Sequence, residues 1–278
     1  MSSKLTVARN PDAADAFMLY GLVSGRVETR GLDIEYRLRD IEGLNLLVIN
    51  GEADVSSASI SVLEKVATDY ALLPHGLCAG AGRGPRVVAR EPLAPEEIRG
   101  RTVAVPGQFT SAYLALRLFQ PDIDVRFVRF DEVVGYVADG FADAGVVIHE
   151  GQLTYARDGL HLVLDLGEWW FVETGLPLPL YGKFARRALG DAVLAAVCRC
   201  VRDSIEYAWA HREDAREYAS RFAGGLKGEL LDEYLRTFVG EHALDVGDIG
   251  RRAVRALLER GFQAGLVATV PRKMFFEY

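Results

Sequence analysis

The sequence has little of what marks a secreted, membrane-bound or disulfide-rich protein. It holds three cysteines in 278 residues, and an odd count with the pair Cys198 and Cys200 fits neither a disulfide framework nor the usual zinc spacing. No apolar run approaches the roughly 18 residues that a membrane span needs. No apolar segment follows Lys4, as a secretory signal would require. We therefore predict a cytoplasmic protein with reduced thiols and no membrane partner.

The chain also lacks an excess of basic residues, since its net charge is −7. A negative surface disfavours nucleic acids and anionic membranes as partners. The partner that we expect is a small organic molecule, and an anionic one is compatible with this charge because helix N-termini and one or two cations can supply a local positive field. The composition is compatible with a monomer or an oligomer.

Motifs for bound cofactors are missing as well. The sequence contains no Walker loop, no Gly-x-Ser-x-Gly and no His-Glu-x-x-His, and its histidines do not have metal-ligand spacing. We therefore predict no metal and no cofactor. What the sequence does have is 50% hydrophobic and 26% charged residues, the proportions of an ordinary folded chain that is long enough for two lobes.

Strands and helices alternate along the first two thirds of the chain. Residues 5–8, 32–38 and 53–57 have strand patterns separated by helical spacing, and residues 102–105 and 144–148 repeat this order. Such alternation with short turns predicts an α/β fold with parallel or mixed sheets. From residue 188 the pattern is almost purely helical.

We predict two lobes, the first made of residues 1–95 and 186–278 and the second of residues 96–185. The glycine-rich segment 80–84 has the wrong spacing for a dinucleotide site and is typical of a flexible crossover between lobes. Ligands in such folds bind beyond the carboxyl ends of the strands, here in the cleft between the lobes.

His149 is the main candidate for chemistry. It follows the apolar run 144–148, so it lies at the carboxyl end of a predicted strand and faces the expected cleft. An imidazole there can act as a general base near neutral pH. The alternative is a hydrogen-bonded histidine at a lobe boundary.

Hydroxyl groups are the candidates for binding an anion. Thr110 and Ser111 follow a strand and a Pro-Gly turn and begin a helix, so either can cap it, and the free N–H groups behind them favour a carboxylate. Ser57, Ser59 and Ser61 crowd the end of the matching strand in the first lobe. The alternatives are a plain helix cap and a serine-rich turn.

Three further polar residues are predicted to contact the ligand. Arg9 and Asn10 lie where the first strand ends, and Arg9 can form a bidentate ion pair with a carboxylate. Arg83 in the crossover is placed to reach the cleft. A solvated surface position is the alternative for Arg9, and helix capping is the expected role of Asp12 and Asp15.

Four stretches carry a family resemblance. They are Asp15–Phe17, Thr102–Gly107 with Thr110–Tyr113, Asp143–Glu150, and Asp165–Trp170 with Glu173–Leu180. In these stretches the chain resembles the 1,4-dihydroxy-6-naphthoate synthases of the futalosine route to menaquinone, within a wider group that includes chorismate dehydratase. The likeness covers nearly the whole chain.

The resemblance implies a two-lobed fold of the periplasmic-binding-protein type (type II). It implies a cofactor-independent carbon–carbon lyase in which His149 removes a proton from a cyclic futalosine-derived carboxylate and a dihydroxynaphthoate is formed. It also implies that Thr110 and Ser111 hold the substrate carboxylate and that the serine cluster meets its hydroxyls.

The chain departs from the family pattern at positions that we expect to lie in the cleft. Ser61 and Leu63 stand where a histidine and a tyrosine are usual, and the segment with His75 and Cys78 differs from the usual Ser-Gly-Ala-Ser-Met-Gly. Lys183 replaces a glycine or asparagine. These departures predict a divergent member, and they keep two alternatives open: a same-fold lyase or cyclase acting on another small carboxylate, and a non-catalytic solute-binding protein.

Overall fold

The computed structural model describes residues 4–278, which form one six-stranded sheet and one five-stranded sheet with helices around them. The strands are β1 Leu5–Arg9, β2 Ile34–Leu38, β3 Val55–Ser59, β4 Tyr70–Leu72, β5 Cys78–Gly80, β6 Arg86–Ala89, β7 Thr102–Val105, β8 Asp124–Phe127, β9 Ala144–Val147, β10 His161–Asp165 and β11 Leu178–Arg186.

The helices follow the same alternation until β11, after which the chain is helical. They are α1 Ala13–Met18, α2 Tyr20–Val23, α3 Ile41–Ile49, α4 Leu63–Val66, α5 Ser111–Phe119, α6 Val133–Ala138, α7 Gly151–Thr154, α8 Leu166–Thr174, α9 Asp191–Ala210, α10 Arg212–Ser220, α11 Gly228–Phe238, α12 Glu241–Leu244 and α13 Gly247–Gln263. Short 3-10 turns lie at Ile60–Val62, Pro95–Ile98, Tyr155–Asp158 and Arg187–Leu189.

The first lobe is built on the sheet β2-β1-β3-β11-β4, in which β5 also pairs with β11. β1 runs parallel to β2 and β3, whereas β11 runs antiparallel to β3, β4 and β5. The helices α9, α10 and α11 pack against α1 and α2 of this lobe. The predicted apolar face of α9, with Leu194, Val201 and Ile205, is buried.

The second lobe is built on the sheet β10-β6-β9-β7-β8. β7 runs parallel to β8 and β9, and β6 runs antiparallel to β9 and β10. The predicted α/β architecture with two sheets is therefore confirmed. Because β3 and β9 both end at the junction between the sheets, the residues that follow them face each other across the lobes.

The chain crosses from one sheet to the other at positions that differ from the predicted lobe boundaries at 95/96 and 185/186. β6 already belongs to the second sheet, so the crossover is the glycine-rich segment 81–85, and β11 returns to the first sheet at Leu178. The reason is that hydrogen-bond partners assign a strand to its sheet: β6 pairs with β9, and β11 pairs with β3. Sequence order alone does not contain these long-range pairings.

Side-chain caps start four of the helices that position the cleft and its surroundings. Asp12, Asp40, Thr110 and Asp165 each accept a hydrogen bond from a backbone N–H in the first turn, at 2.7 to 3.2 Å. Such a cap satisfies a donor that has no partner within its helix. The capped ends at Asp12 and Thr110 both lie at the junction of the lobes.

The crossover passes the start of α8 at very short range, which only glycine allows. A Cβ atom on Gly167 would lie 2.1 Å from the carbonyl carbon of Arg83, and one on Gly84 would lie 2.8 Å from the backbone of Gly167. The backbone cannot give way cheaply at such distances. The outgoing crossover and α8 are thus locked together.

We predict that Gly167→Ala lowers the free energy of unfolding by about 1–3 kcal/mol or more, because the added methyl group overpacks a backbone contact. Chemical denaturation measures the change. Gly135→Ala is the matched control: it lies within α6, and outside its chain neighbours and the adjoining helix backbone no described atom lies within 4 Å of the added Cβ. We expect this control to raise stability by about 1 kcal/mol. Equal destabilisation by both changes would contradict the close-approach argument.

Candidate active site

A narrow cleft opens between the lobes at the carboxyl ends of β3 and β9. Four of the predicted site residues line it, namely Ser59, Thr110, Ser111 and His149. The other lining residues are Ile41, Cys78, Pro85, Ala112, Ile148, Gln152, Leu180, Tyr181, Tyr234 and Phe238. The cleft therefore has a polar end made of hydroxyls and an imidazole, and an apolar wall with aromatic rings.

His149 stands directly after β9 in an unusual backbone conformation. Its φ is +52°, in the left-handed region that costs a residue with a Cβ about 1–3 kcal/mol. The side chain is only 6% exposed, and the edge of its ring meets Phe130 at 5.1 Å between centroids. The backbone strain turns the imidazole out of the line of the strand and toward the first lobe.

The ring of His149 meets two polar side chains of the first lobe. Its Nε2 lies 3.1 Å from Nδ2 of Asn10, and its Nδ1 lies 3.3 Å from Oδ2 of Asp12. The same Asn10 Nδ2 donates to Asp12 Oδ2 at 2.6 Å. Asn10 and Asp12 belong to the turn between β1 and α1. The carboxyl end of β1 therefore places them at the junction of the lobes, where the end of β9 places His149.

Burial determines the protonation states of His149 and Asp12. Desolvation lowers the pKa of His149 to about 4, only partly opposed by the charge of Asp15. Desolvation, followed by the charges of Asp15 and Glu150, raises the pKa of Asp12 well above its usual range. The imidazole is therefore neutral at pH 7, which is the protonation state that a general base requires.

A buried ion pair lies beneath the same turn. Lys183 of β11 donates to Asp15 Oδ1 and, at 2.7 Å, to Ser57 Oγ, while Ser57 itself donates to Asp15 Oδ2 at 2.7 Å. Asp15 also accepts from the backbone N–H of Asn10 at 2.8 Å. The ammonium, the carboxylate and the hydroxyl thus satisfy one another and hold the backbone of Asn10.

Glu150 connects the two lobes next to His149. Its Oε1 accepts from the backbone N–H of Ala13 at 3.0 Å, at the start of α1, and its stem packs against Gly224. Burial raises the pKa of this carboxyl to about 7. Its charge is therefore partly suppressed at neutral pH, in a position where the lobes touch.

The hydroxyl end of the cleft is a second contact between the lobes. Thr110 caps α5 by accepting from Tyr113 at 3.1 Å, and Ser111 Oγ accepts from the backbone N–H of Ser61 at 3.2 Å. Ser61 Oγ donates to the carbonyl of Phe109 at 2.5 Å. Thr110 therefore caps the helix and also lines the cleft. Binding of an anion by this residue stays a prediction.

The two predicted arginines lie away from the lining of the cleft. Arg9 is not a solvated surface residue: it is buried, donates to Tyr218 at 2.9 Å and lies over the ring of Phe222 at 4.7 Å. Arg83 pairs with Glu233 of α11 on the outside of the crossover. Alternation along β1 explains the first case, because Arg9 and Asn10 point to opposite sides of the chain.

The expectation that all the departures from the family pattern lie in the cleft is wrong for most of them. Cys78 lines the cleft, but Leu63 is fully buried in the core of the first lobe. His75 contacts the carbonyl of Leu244 and the hydroxyl of Tyr278, and Lys183 lies below the cleft. Ser61 lies at the junction of the lobes rather than in the lining.

The sequence reasoning missed several groups at the site. Tyr181 and Tyr234 line the cleft, and Tyr181 reaches Asp12 Oδ1 at 3.4 Å. In the sequence Glu150 stands out only as part of the family motif, and Asp12 is predicted only to cap a helix. The position of Glu150 directly after His149 was the available signal for that residue. Nothing in the local sequence indicates that α11, which carries Tyr234, lies at the cleft.

Neither a metal cluster nor a membrane span is found in the described part of the chain. Residues 4–278 contain no group of three or more His, Cys, Asp or Glu side chains arranged to hold a metal ion. Over the same residues, no helix combines the length and apolar character needed to cross a bilayer.

The chain matches the family model described as menaquinone biosynthesis over residues 5–263. This chain belongs to the menaquinone biosynthesis family. It is 40% identical over 271 residues to 1,4-dihydroxy-6-naphthoate synthase of Thermus thermophilus, with 98% of each chain covered. It is 39% identical over 270 residues to the synthase of Streptomyces coelicolor, covering 95% of this chain and 94% of that one. The predicted family is confirmed, and the chain is a menaquinone biosynthesis enzyme.

Solved structures agree with this family and its fold. A protein of Archaeoglobus fulgidus superimposes with a TM-score of 0.91 at 37% identity, covering 95% of this chain and 98% of that one. The alkanesulfonate-binding protein of Xanthomonas axonopodis pv. citri, solved with bound MOPS, gives a TM-score of 0.69 at 12% identity, covering 98% and 96%. The menaquinone biosynthesis family thus shares the two-lobed periplasmic-binding-protein fold, as predicted.

The raised pKa of Glu150 predicts a pH-dependent effect of Glu150→Gln on stability. Between its ordinary value of 4.5 and the folded value of about 7, the folded wild type binds a proton that the unfolded chain has lost, so wild-type stability falls as the pH rises. Glutamine keeps an acceptor for Ala13 and cannot ionise. We expect the stability of Glu150→Gln relative to wild type to increase from pH 4.5 to pH 8 by up to about 3 kcal/mol.

Urea unfolding at several pH values measures this difference. Glu217→Gln, an exposed change on α10, controls for the loss of one negative charge. A relative stability of Glu150→Gln that stays constant with pH would contradict the argument.

Proposed function

We propose that the protein is a carbon–carbon lyase that converts a cyclic futalosine-derived carboxylate to a dihydroxynaphthoate, with His149 as general base. The relatives named 1,4-dihydroxy-6-naphthoate synthase support the reaction. The observation that carries the proposal is the neutral, buried imidazole of His149 in the lining of the cleft.

The reaction begins when His149 takes the proton of a substrate hydroxyl. The oxygen then forms a carbonyl, the adjacent carbon–carbon bond breaks, and its electron pair moves into the ring that becomes aromatic. The proton stays on the imidazole until it is returned to the product side. This step needs a base without a permanent charge, and desolvation keeps His149 in that form.

The hydroxyl end of the cleft suits the carboxylate of the substrate. Thr110 and Ser111 begin α5, whose first-turn N–H groups have no intrahelical partners and favour an anion. Ile41, Ile148 and Phe238 form the apolar wall, which suits a planar aromatic product. Asn10 Oδ1, beside His149, is buried and finds no partner among residues 4–278.

The buried ion pair of the first lobe is also compatible with a different carboxylic acid as the substrate. Lys183 and Asp15 are buried directly below the turn that carries Asn10, and the usual family residue at the lysine position is uncharged. A lyase or cyclase acting on another small carboxylate would use the same base. Supplying the cyclic futalosine derivative and measuring naphthoate formation separates the two reactions.

We predict that His149→Gln lowers kcat for naphthoate formation by about 10²-fold or more, because the base is lost while the cleft is kept. Product affinity, measured by calorimetry, is expected to change little. His161→Gln at the exposed start of β10 is the matched control and is expected to keep the wild-type rate. Turnover by His149→Gln at the wild-type rate would refute the base, and binding without turnover by the wild type would favour a solute-binding protein.

We predict that Ser111→Ala raises KM about tenfold with kcat largely kept, since it removes one hydrogen-bonding group from the carboxylate end. Steady-state kinetics over a range of substrate concentrations measures the two constants. Ser220→Ala at the exposed end of α10 is the control for loss of a serine hydroxyl. A fall in kcat with KM unchanged would place Ser111 outside substrate binding.

A further inference from the structure

We propose that Gln152 is a substrate-binding residue whose side-chain amide donates a hydrogen bond to an oxygen atom of the substrate. The inference deepens the proposed function and rests on it for the identity of that substrate. The observation behind it is a buried amide in the lining of the cleft that residues 4–278 leave unpaired.

The side chain of Gln152 is enclosed by the protein and yet has no partner there. The residue is 4% exposed and lines the cleft, and its amide forms no hydrogen bond with any atom of residues 4–278. Neither the oxygen nor the nitrogen of the amide is completely sealed from solvent, so both remain accessible from the cleft. Most buried polar side chains in folded proteins are hydrogen-bonded, and a free one therefore indicates a task outside the fold.

The hydroxyl groups of the same lining are different, because the protein itself already engages them. Ser59 Oγ accepts from Asn45 Nδ2 at 3.2 Å, and Thr110 Oγ1 donates to the carbonyl of Gly107 at 3.1 Å. A ligand that bonds to these groups shares or replaces contacts within the protein. Gln152 offers a donor group for which the described chain does not compete.

The backbone that carries this amide is held in place. The carbonyl of Gln152 accepts from Arg86 Nη1 at 2.7 Å, and Arg86 Nε donates to Asp165 Oδ2 at 3.2 Å. Asp165 is buried and caps α8, and Arg86 itself pairs with Val147 in the sheet of the second lobe. A side chain on such a support can bind a ligand with defined geometry.

The position and chemistry of the amide indicate what it binds. The backbone N–H of Gln152 donates to the carbonyl of His149 at 3.2 Å, so the amide belongs to the side of the cleft on which the proposed base acts. An NH₂ group donates two hydrogen bonds, and hydroxyl, carbonyl and carboxylate oxygens all accept them. The amide therefore suits an oxygen-rich acid and brings no charge of its own into the cleft.

The stability of the free protein separates a binding residue from a structural one. Gln152→Met removes the amide and keeps the length of the side chain, and methionine has a similar helix propensity. Because no hydrogen bond within residues 4–278 is lost, we expect the urea midpoint of this variant to equal or exceed that of wild type. A midpoint clearly below wild type would show that the amide stabilises the fold and would overturn the inference.

The binding test is calorimetry with the cyclic futalosine derivative in the His149→Gln background, in which turnover is expected to be slow. We expect the added Gln152→Met change to raise the dissociation constant about tenfold or more, because a substrate oxygen is left without a partner in a buried site. In the protein with His149 intact, we expect Gln152→Met to raise KM similarly, with kcat within a few-fold of wild type.

The matched control is Gln263→Met at the exposed end of α13. We expect this change to leave the dissociation constant, KM and the urea midpoint at their wild-type values. Equal effects of the two substitutions on binding would overturn the inference, since they would not depend on the cleft.

Gln152→Glu tests whether the amide donates. This variant keeps the shape of the side chain and replaces the NH₂ donor with an oxygen that only accepts once the carboxyl is ionised. At pH 8 we expect a larger rise in KM than in Gln152→Met, because the new charge also repels an anionic substrate. Binding by Gln152→Glu that is as tight as in wild type would exclude donation by the amide.

The same measurements distinguish this inference from the proposed function. A wild-type protein that neither binds nor converts the cyclic futalosine derivative would refute the proposed function. Conversion by wild type together with unchanged KM and affinity in Gln152→Met would overturn this inference alone and leave the proposed reaction intact.

Discussion

The imidazole of His149 is buried together with three carboxyl groups and one ammonium group at the junction of the lobes. Asp15 keeps its partner in Lys183, Glu150 accepts from a helix N-terminus, and Asp12 is left to face the imidazole. Burying an unpaired charge is costly, so each group is either paired, hydrogen-bonded or held neutral. The arrangement of the lobes is tied to this network, since its members come from β1, α1, β9 and β11.

The closed position of the lobes depends on short-range contacts at both ends of the cleft. Glu150 bonds to Ala13 at one end, and Ser61 bonds to Phe109 and Ser111 at the other. Glu42 adds a contact from α3 by accepting from the N–H of Phe109 at 3.1 Å. These contacts join the two lobes on both sides of the cleft.

The same two-lobed fold serves both binding proteins and this family of enzymes. The alkanesulfonate-binding protein shares the architecture at 12% identity, so the architecture by itself carries no chemistry. In this chain His149, a residue with a Cβ in the left-handed region at the end of β9, aims its side chain across the cleft. Strained backbone of this kind persists where the surrounding structure over-determines it.

Local patterns in the sequence were sufficient to predict the α/β class, most element positions, and His149, Thr110 and Ser111 in the cleft. Apolar periodicity, helix caps and turn residues act over a few neighbouring positions, so these features are visible in one stretch of chain. Only the tertiary structure assigned β6 and β11 to their sheets, turned Arg9 away from the cleft, brought Tyr234 into its lining and placed Asp12 beside His149. These outcomes depend on contacts between residues far apart in the chain, and on which side of a strand or helix remains buried once those contacts form.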